Sequence, residues 1–266
     1  MKTIFITGAS AGLGKATAKL FQANGWNVIA TMRNPEKETE LNLLNNVTLL
    51  PLDVTNSELI HDTVQKAIAL GPVDVVFNNA GYGLVGALEA YTEKQITSQI
   101  NTNLTGVIRV TQAFIPHFKA KQSGLFITTT SVFGLVSNPL SSVYNATKFA
   151  LEGWSESISY ELALFNIGIK TIAPGGIKSN YMNVMQVAPQ PDYDPLMQKM
   201  TEVFSNGMLT FTEPEIIAQT VYEAATDCKD QLTYLAGEDA KKLLVQRQAE
   251  GAEGYRIAMR NAMQIQ

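Results

Sequence analysis

A tyrosine and a lysine four residues apart, Tyr144 and Lys148 in the run Tyr-Asn-Ala-Thr-Lys, stand at the head of a long apolar-periodic stretch. On a helix their side chains leave one face a turn apart. A free phenol ionises near pH 10, and bringing it near 7 takes about 4 kcal/mol of preference for the phenolate. One cation about 4 Å away, at an effective dielectric of about 20, supplies roughly that much. The pair therefore has the makings of a tuned proton donor and acceptor. A surface helix that carries a tyrosine and a lysine has the same spacing, so the elements around the pair must decide between the two readings.

Those elements alternate. Residues 2–7 form a β-branched and aromatic run, followed by Gly8, Gly12 and Gly14 and then by the apolar-periodic Ala16, Leu20 and Phe21. Strand, glycine turn and helix in this order let main-chain N–H groups and a helix N-terminus approach a pyrophosphate. The spacing is Gly-x-x-x-Gly-x-Gly, and a plain strand-to-helix turn is the alternative. A second strand, residues 26–32, runs into Arg33, where no carboxylate is present to meet a ribose 2'-hydroxyl. A guanidinium there suits a 2'-phosphate, favouring NADP over NAD, unless Arg33 is an ordinary solvated loop residue.

Further strands are expected over residues 47–52, ending at Asp53, then 73–77, running into Asn78-Asn79-Ala80-Gly81, then 125–130, 169–173 and 231–235. Between them, Thr55 to Glu58 and Thr92 to Gln95 read as capping boxes; the second opens a helix that carries Asn101 and Asn103 and runs to about Pro116. Ser131 falls at the end of the fifth strand, one loop before Tyr144, and Pro174-Gly175-Gly176 follows the sixth. The carboxyl edge of a doubly wound parallel sheet would thus gather all of these residues. Residues 180–208 hold Met182, Met185, Met197, Met200, Phe204 and Met208 among prolines, and read as a lid with Met197, Met200 and Phe204 on one helix face, or as ordinary core packing. The tail, about 237–266, reads as two short helices divided by Gly251 and Gly254.

With 266 residues, 45% hydrophobic and 17% charged, the chain suits a single α/β domain. Its net charge of -4 and pI near 5.3 argue against nucleic acid or an anionic membrane as the main partner. One cysteine, Cys228, permits no internal disulfide and reads as a small buried hydrophobe. His61 and His117 match no metal spacing and are taken as surface or structural residues; no metal site is expected. Without a span-length apolar run or a signal peptide, the chain reads as cytoplasmic.

Together, Thr7-Gly8-Ala9-Ser10-Ala11-Gly12-Leu13-Gly14, Asn78-Asn79-Ala80-Gly81, Asn103, Ser131, Tyr144 with Lys148, and Pro174-Gly175 resemble the short-chain dehydrogenase/reductase family over residues 2–181. Thr31 with Arg33, and the stretch Asn79 to Glu89, resemble its branch of 17β-hydroxysteroid-type dehydrogenases. The resemblance implies a Rossmann-type sheet of about seven strands with NAD(P) at its carboxyl edge. It further implies Tyr144 as general acid/base, Lys148 as the cation that lowers the phenol pKa and holds the nicotinamide ribose, Ser131 on the substrate oxygen, and Asn103 as holder of a relay water.

For the cofactor, the resemblance implies Gly8, Ser10, Ala11, Gly12, Leu13 and Gly14 at the pyrophosphate, and Asp53 and Val54 at the adenine. Asn78, Ala80 and Gly81 would lie on the adenosine side, and Pro174, Gly175, Ile177 and Ser179 at the carboxamide end. Ser179 stands where the family often has threonine. Enoyl reductases of the superfamily separate tyrosine and lysine by six residues, and this chain does not. The expected reaction is therefore NADP(H)-dependent interconversion of an apolar ketone and its secondary alcohol. NAD(H) is the alternative cofactor, and a non-catalytic NADP(H)-sensing protein the alternative function. Tyr82, Leu84, Val85, Phe133, Leu135 and Val136 are expected to line the substrate pocket. By analogy with the family, the chain is expected to pair into a homodimer or homotetramer through the helices carrying Asn103 and Tyr144.

Overall fold

The computed structural model describes residues 1–178 and 185–265. Its strands are β1 (Thr3–Thr7), β2 (Asn27–Met32), β3 (Val47–Pro51), β4 (Val75–Asn78), β5 (Leu84–Gly86), β6 (Gly124–Thr129), β7 (Ile167–Pro174), β8 (Gln186–Ala188) and β9 (Thr233–Ala236). Seven of them make one sheet in the order β3-β2-β1-β4-β6-β7-β9, and every pairing is parallel. The chain winds outward from β1 to β3 and then restarts at β4 on the other side of β1. That reversal opens a crevice beyond the carboxyl ends of β1 and β4, where ligands of such sheets bind.

Both faces of the sheet are covered, which is why its central strands are apolar throughout rather than alternating. Ile4 and Ile6 of β1 turn to one side, where helices α1 (Gly12–Ala23) and, late in the chain, Pro214–Thr226 add Phe21, Ile217 and Val221. Phe5 turns to the other, where α2 (Ser57–Ala69), Gly106–Lys121 and Ser142–Ala163 supply Val64, Phe114, Phe118 and Leu162. Edge-on contacts such as Phe5 to Phe114, with centroids 4.8 Å apart, fill that second layer.

The helices after α2 are α3 (Glu93–Ile100), α4 (Gly106–Lys121), α5 (Ser142–Ala163), α6 (Asp194–Val203), α7 (Pro214–Thr226) and α8 (Glu238–Ala262). The capping box at Thr92 and Gln95 is present at α3. At α2 the cap is instead Asn56, whose side chain accepts the Leu59 N–H, because Thr55 is taken by Asp53. Between α3 and α4 the chain makes one wide π turn, Asn101–Thr105, and α4 runs past Pro116 to Lys121. Gly251, at φ +69°, breaks α8, whereas Gly254 lies within it. Cys228 is exposed, in a left-handed turn after α7 rather than in the core.

A small two-stranded parallel sheet, β5 with β8, was not expected from the sequence, since each strand has only three residues. It sits beside the loop that joins Ser131 to Tyr144: the Gly86 N–H donates to the carbonyl of Leu140, itself at φ +56°.

Candidate active site

The crevice at the sheet reversal is built from main chain. Gly8, at φ +68°, passes so close to Ala80 that a Cβ would come within 2.9 Å of its Cα. The Thr7 hydroxyl accepts the N–H groups of Asn79 (2.9 Å) and Ala80 (3.0 Å). The Asn79 amide in turn donates to the carbonyls of Thr7 and Gly8 and accepts from Thr129. Three strand ends are thereby stitched together beneath the turn. Above it, α1 begins after Ala11, which has no side chain to cap the helix, and its first turn carries no acidic residue. Uncapped first-turn N–H groups at a positive helix end, reached through a turn of small residues, suit a pyrophosphate.

The residues expected here divide in two. Gly8, Gly12, Ser10 and Ala11 form the turn, and Gly81 lies exposed beyond β4. Leu13 and Gly14 are buried beneath it, so they offer only main chain. Asn78 shares the β4 face of Val76, and its amide donates to Thr111 of α4 at 3.0 Å, so its side chain belongs to the packing layer, whereas the Asn79 side chain bonds the strand ends at the edge. The two-residue period of a strand ending at Asn78 is the signal that distinguishes these asparagines.

Past β2, Arg33 is exposed, while the nearby Lys15 is held by Glu38 (3.1 Å) and Glu40 (2.9 Å). Asp53 closes a tight turn onto the Thr55 N–H and hydroxyl, and Val54 is buried against Gly106. Pro174 ends β7, Gly175 follows it, and Ile177 bridges to Thr212. Ser179 and Met182 lie outside the described residues.

At the carboxyl end of β6, Ser131 is buried; its Oγ accepts the Phe133 N–H at 3.1 Å and retains its own O–H to donate. Tyr144 is half-buried in the first turn of α5. One turn on, the Lys148 Nζ donates to the carbonyl of Thr129 at 2.8 Å and stands 5.7 Å from the centre of the Tyr144 ring. The main chain of Gly134 rests on the Lys148 carbonyl, which brings the Ser131 loop against the same helix. Burial pulls the Lys148 ammonium down to about 8, opposed by the carboxylate of Glu152 one turn below. Burial also pushes the Glu152 carboxyl up, against the hydroxyls of Thr130, Thr171 and Thr233 and the Lys148 charge. Glu152 was not singled out from the sequence, although its i+4 spacing from Lys148 is visible there.

Asn103 sits in the π turn, fully buried, and its amide pairs both ways with Tyr82: it accepts the Tyr82 N–H at 3.1 Å and donates to the Tyr82 carbonyl at 2.8 Å. Gln99 donates to that same carbonyl. These bonds fix the loop after β4 beside α5, which packs on the π turn.

Of the residues expected to line the substrate pocket, Leu84 and Val136 are buried, whereas Tyr82, Val85, Phe133 and Leu135 are partly open. Phe204 stacks on Phe133 with centroids 5.9 Å apart. It follows directly on α6 with helical φ −66° and ψ −44°, its N–H donating to the carbonyls of Met200 and Thr201, so it continues the face of Met197 and the buried Met200 into a second π turn, Phe204–Met208. His117 contacts the main chain of Val73, and among the described residues no group of three His, Cys, Asp or Glu could hold a metal. No helix there is long and apolar enough to cross a membrane.

A doubly wound parallel sheet with a glycine-lined crevice beside a tyrosine and a buried lysine defines a nucleotide-binding oxidoreductase. The sequence profile described as short chain dehydrogenase matches residues 2–189, and the chain belongs to that family. An uncharacterized oxidoreductase of Schizosaccharomyces pombe is 37% identical over 210 residues, 78% of this chain and 89% of its own. A 3-oxoacyl-[acyl-carrier-protein] reductase of Thermotoga maritima is 32% identical over 244 residues, covering 89% and 94%. Among solved structures, a short-chain dehydrogenase from Streptomyces avermitilis superposes with TM-score 0.84 at 29% identity, covering 97% of each chain. The protein ElxO with NADP bound does so with TM-score 0.77 at 26% identity, over 91% of this chain and 99% of its own.

Proposed function

We propose that the protein interconverts an apolar ketone and its secondary alcohol with NADP(H), using Tyr144 as the general acid/base. The observation that carries this reading is the buried Lys148 ammonium, held by the Thr129 carbonyl one turn below the half-buried Tyr144. A cation kept in so dry a place favours the phenolate form of a neighbouring tyrosine. When bound, the dinucleotide supplies or accepts the hydride at the reacting carbon. During reduction, Tyr144 gives its proton to the carbonyl oxygen and Ser131 donates a hydrogen bond to that oxygen as charge develops. In oxidation the phenolate takes the proton back.

Lys148 holds the nicotinamide ribose and steadies the phenolate. Asn103, fixed against the Tyr82 main chain by its side-chain amide, would hold a relay water. The glycine turn and the first turn of α1 take the pyrophosphate, with Pro174, Gly175 and Ile177 at the carboxamide end. Arg33, free of the carboxylates that hold Lys15, favours a 2'-phosphate. ElxO, which binds NADP, and the Thermotoga reductase, which bears a 3-oxoacyl name, support the cofactor and the carbonyl chemistry. The cover, residues 185–208 as described, and the apolar loop 132–136 shield the substrate.

The test is consumption of NADPH, and separately of NADH, by the purified protein with a panel of apolar ketones. Faster turnover with NADPH on any member supports the reading. Tight NADPH binding without turnover across the panel would favour a sensor instead, and preference for NADH would assign the other cofactor.

Helix α5 also bears exposed Phe149 and Tyr160, with the small Gly153 between them, and Leu164 is exposed just past its end. That face is where two copies would pair. Sedimentation should give a dimer or tetramer; a monomer at working concentration would overturn this part.

A further inference from the structure

Asp239 lies in the first turn of α8, in the stretch beyond the family match, and is only 2% exposed. Its Oδ2 accepts two main-chain N–H groups from distant parts of the chain, Gly176 at 2.8 Å and Thr210 at 2.9 Å. Its Oδ1 accepts the Ala240 N–H at 2.9 Å. A helix-capping side chain accepts from its own helix. Here two of the three donors come from elsewhere, and the capping position is Gly237.

The space for the carboxylate is kept by glycines: a Cβ on Gly175 would fall 2.1 Å from Oδ1, and one on Gly237 2.6 Å from the same atom. Around it the three segments are cross-bonded. Gly175 donates to Ala236, Thr212 to Gly176 and Lys178 to Thr212, all through main chain. Gly176 belongs to the turn after β7, and Thr210 lies six residues past Phe204, the ring that stacks on Phe133. One oxygen atom therefore joins the turn at the cofactor's carboxamide end to the foot of the helical cover. Charge-assisted bonds of this kind are the strong ones, and losing the carboxylate leaves three N–H groups without their acceptor.

We propose that Asp239 is a positioning residue that locks the Pro174–Gly175–Gly176 turn and the cover into one register, so that gripping the nicotinamide end of the cofactor steadies the substrate side. The proposal rests on the dinucleotide reading above. It assigns the carboxyl-terminal extension a part in cofactor binding.

The test titrates NADPH into the purified protein, following the nucleotide's fluorescence, for wild type, Asp239→Ala, Asp239→Asn and Asp227→Asn. The last variant disturbs another well-bonded carboxylate, which accepts from Lys170 and Tyr234 away from the site. Asp239→Ala should weaken NADPH by about tenfold or more. Asp239→Asn, which keeps one acceptor oxygen, should recover part of the loss, and Asp227→Asn should lose thermal stability with near wild-type affinity. In wild type, saturating NADPH should slow hydrogen exchange at Thr210 and Phe211 as well as at residues 176–178. Should Asp239→Ala not fold, the exchange measurement decides.

Unchanged affinity in Asp239→Ala would overturn the proposal. So would protection confined to residues 176–178, or equal weakening by Asp227→Asn at equal loss of stability. Failure of wild type to bind NADPH at all would overturn the dinucleotide reading itself, a distinct result.

Discussion

The two sides of the crevice are built differently. On the cofactor side, β1, β4 and β6 end in main chain pressed on main chain, and the Thr7 hydroxyl and the Asn79 amide satisfy the groups between them. On the substrate side, side chains meet side chains: Phe204 on Phe133, and Leu243 and Tyr255 of α8 against Val132 and Val136. Polar atoms are also left there without a protein partner, among them the hydroxyls of Tyr82 and Tyr255. A surface made of backbone admits few substitutions, because at Gly8 and Gly14 a Cβ would strike the neighbouring chain. A surface made of apolar side chains can be recut one residue at a time while the fold stands. On the proposed function, the molecule would pair a fixed grip on the dinucleotide with an adjustable substrate pocket.

The sharpest way to break this contrast is to put a side chain into the backbone side. A Cβ on Gly14 would lie 2.3 Å from the Gly8 carbonyl oxygen and 2.6 Å from the Asn79 amide. Gly14→Val should cost about 3 kcal/mol or more of stability and abolish NADPH binding, read by thermal unfolding and fluorescence titration. Near-wild-type binding would show that the turn yields, and the contrast would lose its basis.

A smaller effect is expected where the two sides meet, at Lys148. Burial lowers its pKa from the ordinary lysine range to about 8, so the free protein holds the cation below that pH and loses it above. If the bound nucleotide keeps Lys148 charged, affinity for NADPH should fall by up to about tenfold per pH unit above pH 8. Lys148→Met should bind weakly with no such limb. Glu152 supports the cation, so Glu152→Gln should move the limb to lower pH. An unmoved limb in that variant would separate Glu152 from the titration.

The smallest effect belongs to the side-chain surface. Phe204→Ala should raise KM for bulky apolar ketones by about tenfold, in line with the loss of one apolar wall, while leaving the Kd for NADPH unchanged. Equal damage to both would mean that the cover serves the cofactor as well, as the Asp239 bridge implies in milder form.

The same contrast governs how much of the molecule is legible in its sequence. Short apolar runs interleaved with helix signals give the doubly wound sheet, because run length and helix period are local properties. The glycine turn, Ser131, Tyr144 and Lys148 are legible because each requires a particular residue type at a particular strand end or helix turn. Which of Asn78 and Asn79 turns its side chain into the packing layer depends on one residue of strand register, which the sequence does not mark. The β5 and β8 pair is hidden because three-residue strands have no period to read, and its partner segments lie about a hundred residues apart. Asp239 is hidden for a related reason: its donors, Gly176 and Thr210, are brought to it only by the completed fold.

The account turns on Tyr144, and one substitution tests it most directly. Tyr144→Phe keeps the ring and removes the hydroxyl, so turnover with a ketone that the wild type reduces should fall by about a thousandfold while the Kd for NADPH stays within about twofold. Wild-type turnover in that variant would contradict the assignment of Tyr144 as the proton donor, whatever the substrate proves to be.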